Sequence, residues 1–171
     1  MRPVITFLVL LGVTAAAASA APLLPANYAT WEKPTVIALN YAIPGHLDNY
    51  RVIFINKPGT TVQPATVSGK VRWDYPKGTI ILKEVYAGLA TPAKDAKPIR
   101  LYGMVKDTVN PKAKGGWLWV VKDLATNKET VFDSAFCVDC HAYANGKHAY
   151  GDKNPSAEFR DCVYFPWFVK K

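Results

Sequence analysis

From Ala21 onward the apolar positions recur mainly with a period of two. The segments Tyr50 to Asn56, Lys70 to Tyr75, Thr79 to Tyr86, Pro98 to Asp107 and Gly116 to Asp123 are rich in β-branched and aromatic residues, and Pro, Gly or Asn turns bound them. Several strands without long helices between them predict an antiparallel sheet, a mainly β fold within the α+β class. The helical pattern is sparse. A short helix is predicted around Asn27 to Lys33, where Pro34 ends it, and a second over Ala135 to Ala144, followed by a polar loop from Asn145 to Ser156. No internal repeat or linker divides the chain, so residues 21 to 171 read as a single domain.

Residues 1 to 20 have a different character: a positive charge at Arg2, an apolar run from Val4 to Ala18, and Ala18-Ser19-Ala20 before APLLP. This is the pattern of a secretory signal peptide, and it predicts export to the periplasm. The run is short and Ala-rich for a membrane anchor, and no membrane span is expected in the mature chain. Removing 20 of 171 residues leaves 151, enough to bury a core. With Arg2 gone, 20 Lys and Arg face 13 Asp and Glu, a net +7. A charge of that sign could steer an acidic redox partner or anionic small molecules, but a solvated lysine face is the commoner explanation. No basic run interleaved with aromatics points to nucleic acid.

The candidate chemistry is concentrated in FCVDCHAY, Phe136 to Tyr143. On a helix Cys137, Cys140 and His141 stand at i, i+3 and i+4, which puts two sulfurs and an imidazole on one face. That arrangement suits a c-type haem: two thioether anchors to the porphyrin vinyl carbons, with His141 as the iron ligand. The alternatives are a thiol redox pair and a zinc site. Three cysteines give no disulfide framework, a closed zinc site lacks its second half, and a thioredoxin-like switch lacks its βαβ context. The small all-helical cytochromes carry this motif near their N-terminus, which neither the order nor the strand periodicity of this chain matches.

LPANYATW at the mature start, GTIILKE, VKD followed by GGWLWV, CVDCH and DCVYF occur in that order and span nearly the whole mature chain. In these segments the sequence resembles the cytochrome P-460 family, which includes the beta-type cytochromes c-prime. The resemblance implies an antiparallel sheet with a few helices, a homodimer, and one covalently attached haem c with an open distal position.

Several residues then acquire expected roles. Lys83 lies on a strand that is apolar on both faces, beside Ile81 and Val85, with Ile80, Leu82 and Tyr86 opposite. By position it matches the lysine that in cytochrome P-460 is bonded to a haem meso carbon; snorkelling or pairing with a carboxylate is the other reading. Tyr102 stands where hydroxylamine-oxidising members carry a glutamate. A phenol with a pKa of ~10 is a poor base at neutral pH but a good hydrogen-bond donor to a bound oxygen atom. Met104 shares its face and either fills the core, lines the distal pocket or ligates iron. His46, in a Pro-Gly-His turn, and His148, in a Gly/Lys-rich loop, read as surface histidines, and Cys162 as a buried thiol. The function these features imply is hydroxylamine or nitric oxide redox chemistry with electrons passed to a soluble protein partner. The alternatives are a non-enzymatic nitric oxide binder, or an electron carrier with Met104 as sixth ligand.

Overall fold

The computed structural model describes residues 21–35, 38–46 and 48–167; the leader at 1–20 lies outside them. Among the described residues there are seven strands: β1 (Asn49–Ile55), β2 (Ala65–Val67), β3 (Lys70–Arg72), β4 (Ile80–Ala87), β5 (Arg100–Lys106), β6 (Trp117–Asp123) and β7 (Glu129–Phe132). One α-helix, α1 (Phe136–Ala142), follows them and runs into a 3-10 turn at Tyr143–Asn145. The main sheet has the order β1-β4-β5-β6-β7 with every neighbouring pair antiparallel, as the alternating pattern predicts. No described helix is long and apolar enough to cross a membrane.

Register decides which side chains meet. Ile53 pairs with Lys83, Lys83 with Tyr102, and Tyr102 with Val121, so these four form one row across β1, β4, β5 and β6. The next row on that face runs Ile55, Ile81, Met104, Trp119. Since strand side chains alternate, the opposite face carries Phe54, Leu82, Gly103 and Val120. Each face has its own core: Ile55, Ile81, Met104, Trp117 and Trp119 pack with Trp73, Cys162 and Val163, while Phe54, Leu82, Leu101, Leu118 and Val120 pack with Leu24. A strand buried on both sides explains why β4 has no polar face apart from Lys83 and Glu84. Glu84 is buried and held by the hydroxyls of Tyr28 (2.9 Å) and Tyr86 (2.8 Å) on the face away from Lys83.

The N-terminal leg covers the second face. Its backbone is tied to β7, where the Glu129 carboxylate accepts from the N–H groups of Leu23 (2.8 Å) and Leu24 (3.2 Å). Leu24 crosses directly over Gly103, and a Cβ there would run into the leucine side chain. The predicted helix at Asn27 to Lys33 is a single 3-10 stretch, Ala26–Thr30: the backbone is extended again at Trp31, and the Glu32 carbonyl accepts from the Ile55 N–H (2.8 Å) as an antiparallel bridge to β1. The predicted strand Lys70 to Tyr75 stops at Arg72. It pairs with β2 through the two-residue Ser68-Gly69 turn, both at positive φ, and lies outside the main sheet. β7 was not predicted; its four residues, ETVF, are too few for the alternation to register.

Candidate functional site

On α1 the side chains of Cys137, Cys140 and His141 face a cavity of about 530 Å³ between the helix, the first face of the sheet and residues 39–46. Ile53, Ile81, Met104, Trp119, Val163 and Phe165 give it apolar walls. Lys83 and Tyr102 line it from the sheet, so the sequence candidates do converge on one space. The three cysteines are free thiols: Cys137 and Cys140 half-buried, Cys162 buried. No group of three His, Cys, Asp or Glu side chains placed to hold a metal ion occurs among the described residues.

His141 is held by its surroundings. Its Nδ1–H donates to the Cys162 carbonyl at 2.9 Å, which fixes the tautomer and leaves Nε2 unprotonated. Its ring packs against Trp119 (4.8 Å between centroids) and Tyr164 (5.3 Å), and the Tyr164 hydroxyl donates to the Cys140 carbonyl (2.7 Å), tying the helix to the C-terminal segment. Burial, and then the nearby Lys83 charge, pushes its pKa down to about 4, so the imidazole is neutral and available as a ligand.

The wall opposite contains a residue whose place the sequence did not indicate. His46 is half-buried rather than on the surface, its ring 5.1 Å from that of Tyr102 and 6.5 Å from that of His141. Lys83 Nζ lies 2.6 Å from His46 Nε2 and 5.2 Å from the Tyr102 ring centre. Lys83 has no carboxylate partner among the described residues, which removes the ion-pair reading. Burial and then the Arg51 charge lower its pKa to about 7. Burial, followed by the Lys83 charge, holds His46 far below the ordinary histidine value. Met104 is a core residue at the cavity wall. His148 is also half-buried, packed on Tyr164 at 4.8 Å, but does not line the cavity.

Whether a haem suits this space is tested by Arg51, which lines the cavity from β1. Its Nη2 donates to the Tyr41 carbonyl (2.6 Å), while Nη1 is buried with no hydrogen-bond partner among the described residues. A buried guanidinium edge left unpaired is costly. Among the described residues no Asp or Glu lines the cavity to meet it or Lys83. A haem brings carboxylates for such a cation, an apolar macrocycle for the walls, vinyl carbons for two thiols and an iron for one imidazole. The residues therefore fit the group. Arg51 was legible only in part: it shares its parity along β1 with Ile53, as Lys83 does with Ile81, but only the sheet register shows both facing one space.

No curated protein matches this chain. The family model described as Cytochrome P460 matches residues 25–164, from the N-terminal leg through α1 to Tyr164, so the match takes in the whole sheet, the Cys-x-x-Cys-His helix and the cavity between them. The chain belongs to the cytochrome P460 family, whose cofactor is haem.

Proposed function

We propose that the chain is an exported, periplasmic mono-haem c-type cytochrome acting on hydroxylamine or nitric oxide. The observation that carries this is the convergence of Cys137, Cys140 and His141 on one apolar cavity that Lys83 and Arg51 also line, with Arg51 Nη1 buried and unpartnered among the described residues. Cys137 and Cys140 hold the haem through thioether bonds, His141 Nε2 ligates the iron, and Arg51 meets a haem carboxylate. When bound, the haem supplies an iron that takes up a small nitrogen compound and relays electrons to a protein partner. The apolar walls exclude water, and the Tyr102 hydroxyl is the donor for an oxygen atom of the small molecule. The net +7 of the chain without its leader suits an acidic soluble redox partner. The leader at 1–20 supports export.

A second reading, nitric oxide binding without turnover, is favoured by the lining itself: no carboxylate stands among its described residues to take protons from hydroxylamine. One experiment separates the two. Purified holoprotein is given hydroxylamine and an artificial electron acceptor, and in parallel nitric oxide, while its spectrum and intact mass are recorded. Acceptor reduction supports the enzyme; nitric oxide binding without it supports the binder. A low-spin resting spectrum abolished in Met104→Ala would refute both in favour of an electron carrier. The mass also reads out Lys83. A bond from its amine to the porphyrin replaces one N–H and one C–H, passing two electrons and two protons to an oxidant of the peroxide class, so the protein would be two hydrogens lighter than with thioethers alone. Lys83→Arg would restore the unmodified mass, since a guanidinium is not a nucleophile.

A further inference from the structure

His141 and Asn145 are one helical turn apart, and both hold the same distant residue. The Cys162 carbonyl accepts from His141 Nδ1 (2.9 Å), while the Cys162 N–H donates to Asn145 Oδ1 (2.9 Å). The same oxygen accepts from the Arg160 N–H (3.1 Å), and Asn145 Nδ2 turns to the Cys162 sulfur (3.7 Å). Cys162 is therefore gripped at both ends of its backbone from one face of the helical segment.

The grip acts on a strained stretch. Asp161 and Cys162 are consecutive left-handed residues, with φ of +49° and +67°. Each such non-glycine residue costs ~1 kcal/mol or more, so the conformation persists only where its surroundings enforce it. The Asp161 carboxylate anchors one side, accepting from the Tyr75 N–H (3.1 Å), Lys106 Nζ (2.6 Å) and Trp117 Nε1 (3.3 Å). Asn145 anchors the other. The peptide that carries the Cys162 carbonyl is also tied by its own N–H, which Val163 donates to the Arg160 carbonyl (2.9 Å), and the direction of the carbonyl follows from these three anchors.

We infer that Asn145 is a positioning residue for the iron ligand: by holding the Cys162 peptide it aims the carbonyl that sets the tautomer, ring orientation and basicity of His141. The inference rests on the reading of His141 as that ligand. An acceptor on the second ring nitrogen strengthens a histidine's donation to its metal, and losing such partners typically costs about 10–100-fold in metal affinity or activity. An asparagine suits the place because its oxygen has two lone pairs for two N–H groups while its amide presents a donor to the sulfur.

The test compares Asn145→Asp, Asn145→Ser and Asn145→Leu in haem-loaded protein. The Asp variant keeps the acceptor oxygen and is expected to keep the iron–histidine stretching band of the ferrous form. The Ser variant is too short to bridge both N–H groups, and the Leu variant accepts nothing. Both are expected to lower the stretching frequency and to raise the midpoint potential by the equivalent of about tenfold in the reduction equilibrium. A folded Ser or Leu variant with wild-type band and potential would overturn the inference, as would a shift in Asp as large as that in Leu. If Leu does not fold, Ser decides. If the wild type takes up no haem, it is the ligand reading that fails; the clamp is then read in haem-free protein. There the His141 Nδ1 proton resonance should be slow to exchange in wild type and lost in Asn145→Ser, and its survival in the Ser variant would overturn the inference.

Discussion

Asp161→Asn tests the packing beneath the site. Asp161 and Lys106 form an ion pair with Nζ 2.6 Å from one carboxylate oxygen and 2.7 Å from the other, and the side chains are only 6 % and 11 % exposed. Asparagine keeps the volume, tolerates the left-handed backbone at φ +49° and retains an oxygen for the Tyr75 N–H; Trp117 Nε1 loses its 3.3 Å carboxylate contact but keeps the Asp161 carbonyl at 2.9 Å, so the change removes mainly the charge. At that separation the attraction is about 6 kcal/mol with an effective dielectric constant near 20, set against the desolvation of both ions. The pair is therefore worth little compared with an apolar replacement. Breaking it, however, leaves the Lys106 ammonium buried over the Trp117 ring (4.9 Å) without the one carboxylate it forms an ion pair with among the described residues. The expected loss is ~3–5 kcal/mol in urea unfolding followed by tryptophan fluorescence. In a domain of this size it would lower the melting temperature by roughly 10 °C. Lys106→Met on top of Asp161→Asn removes both charges and should recover most of the loss. A single-variant cost below about 1 kcal/mol, or a double variant as unstable as the single, would refute the reasoning.

Cys137→Ser with Cys140→Ser, made in the Lys83→Arg background so that no lysine bond can hold the porphyrin, should leave a protein that keeps no haem on a denaturing gel, whereas retention of haem at wild-type stoichiometry would contradict the thioether assignment. Gly103→Ala should cost ~1–3 kcal/mol in chemical unfolding because the new methyl meets Leu24; combined with Leu24→Ala it should cost almost nothing further, and an undiminished cost would show that the clash lies elsewhere. Asp152 accepts both Arg160 amino groups (2.7 and 2.8 Å), and these bonds hold its carboxyl below the ordinary range. A lowered folded pKa contributes stability that is present above the unfolded value of ~3.9 and lost as pH falls through the folded one. Asp152→Asn should therefore flatten the acid limb of stability against pH below about pH 4, a modest effect for a carboxylate nearly half exposed, and an unchanged limb would refute it.

Local pattern determined a good deal of this protein. Alternation along the chain placed β1, β4, β5 and β6 within a residue or two and put Lys83 on the face of Ile81 and Val85, because a strand's two faces differ in sequence whenever both are buried in different surroundings. Spacing alone put Cys137, Cys140 and His141 on one helical turn, since i, i+3 and i+4 are neighbours on any α-helix. What no local pattern carries is which segments close over the sheet. His46 and His148 looked like surface residues in polar turns, yet residues 39–46 fold across the cavity mouth and bring His46 to Lys83, and the C-terminal segment packs Tyr164 on His148. Arg51 is one residue of a strand until register aligns its face with Lys83, and its unpaired Nη1 exists only once burial has removed water. The Cys162 carbonyl that fixes His141 is a backbone atom in a left-handed turn, held through the Asn145 bond to the Cys162 N–H and the Val163 N–H bond to the Arg160 carbonyl. Backbone groups leave no signature in side-chain periodicity, so this part of the site was decided by tertiary packing alone.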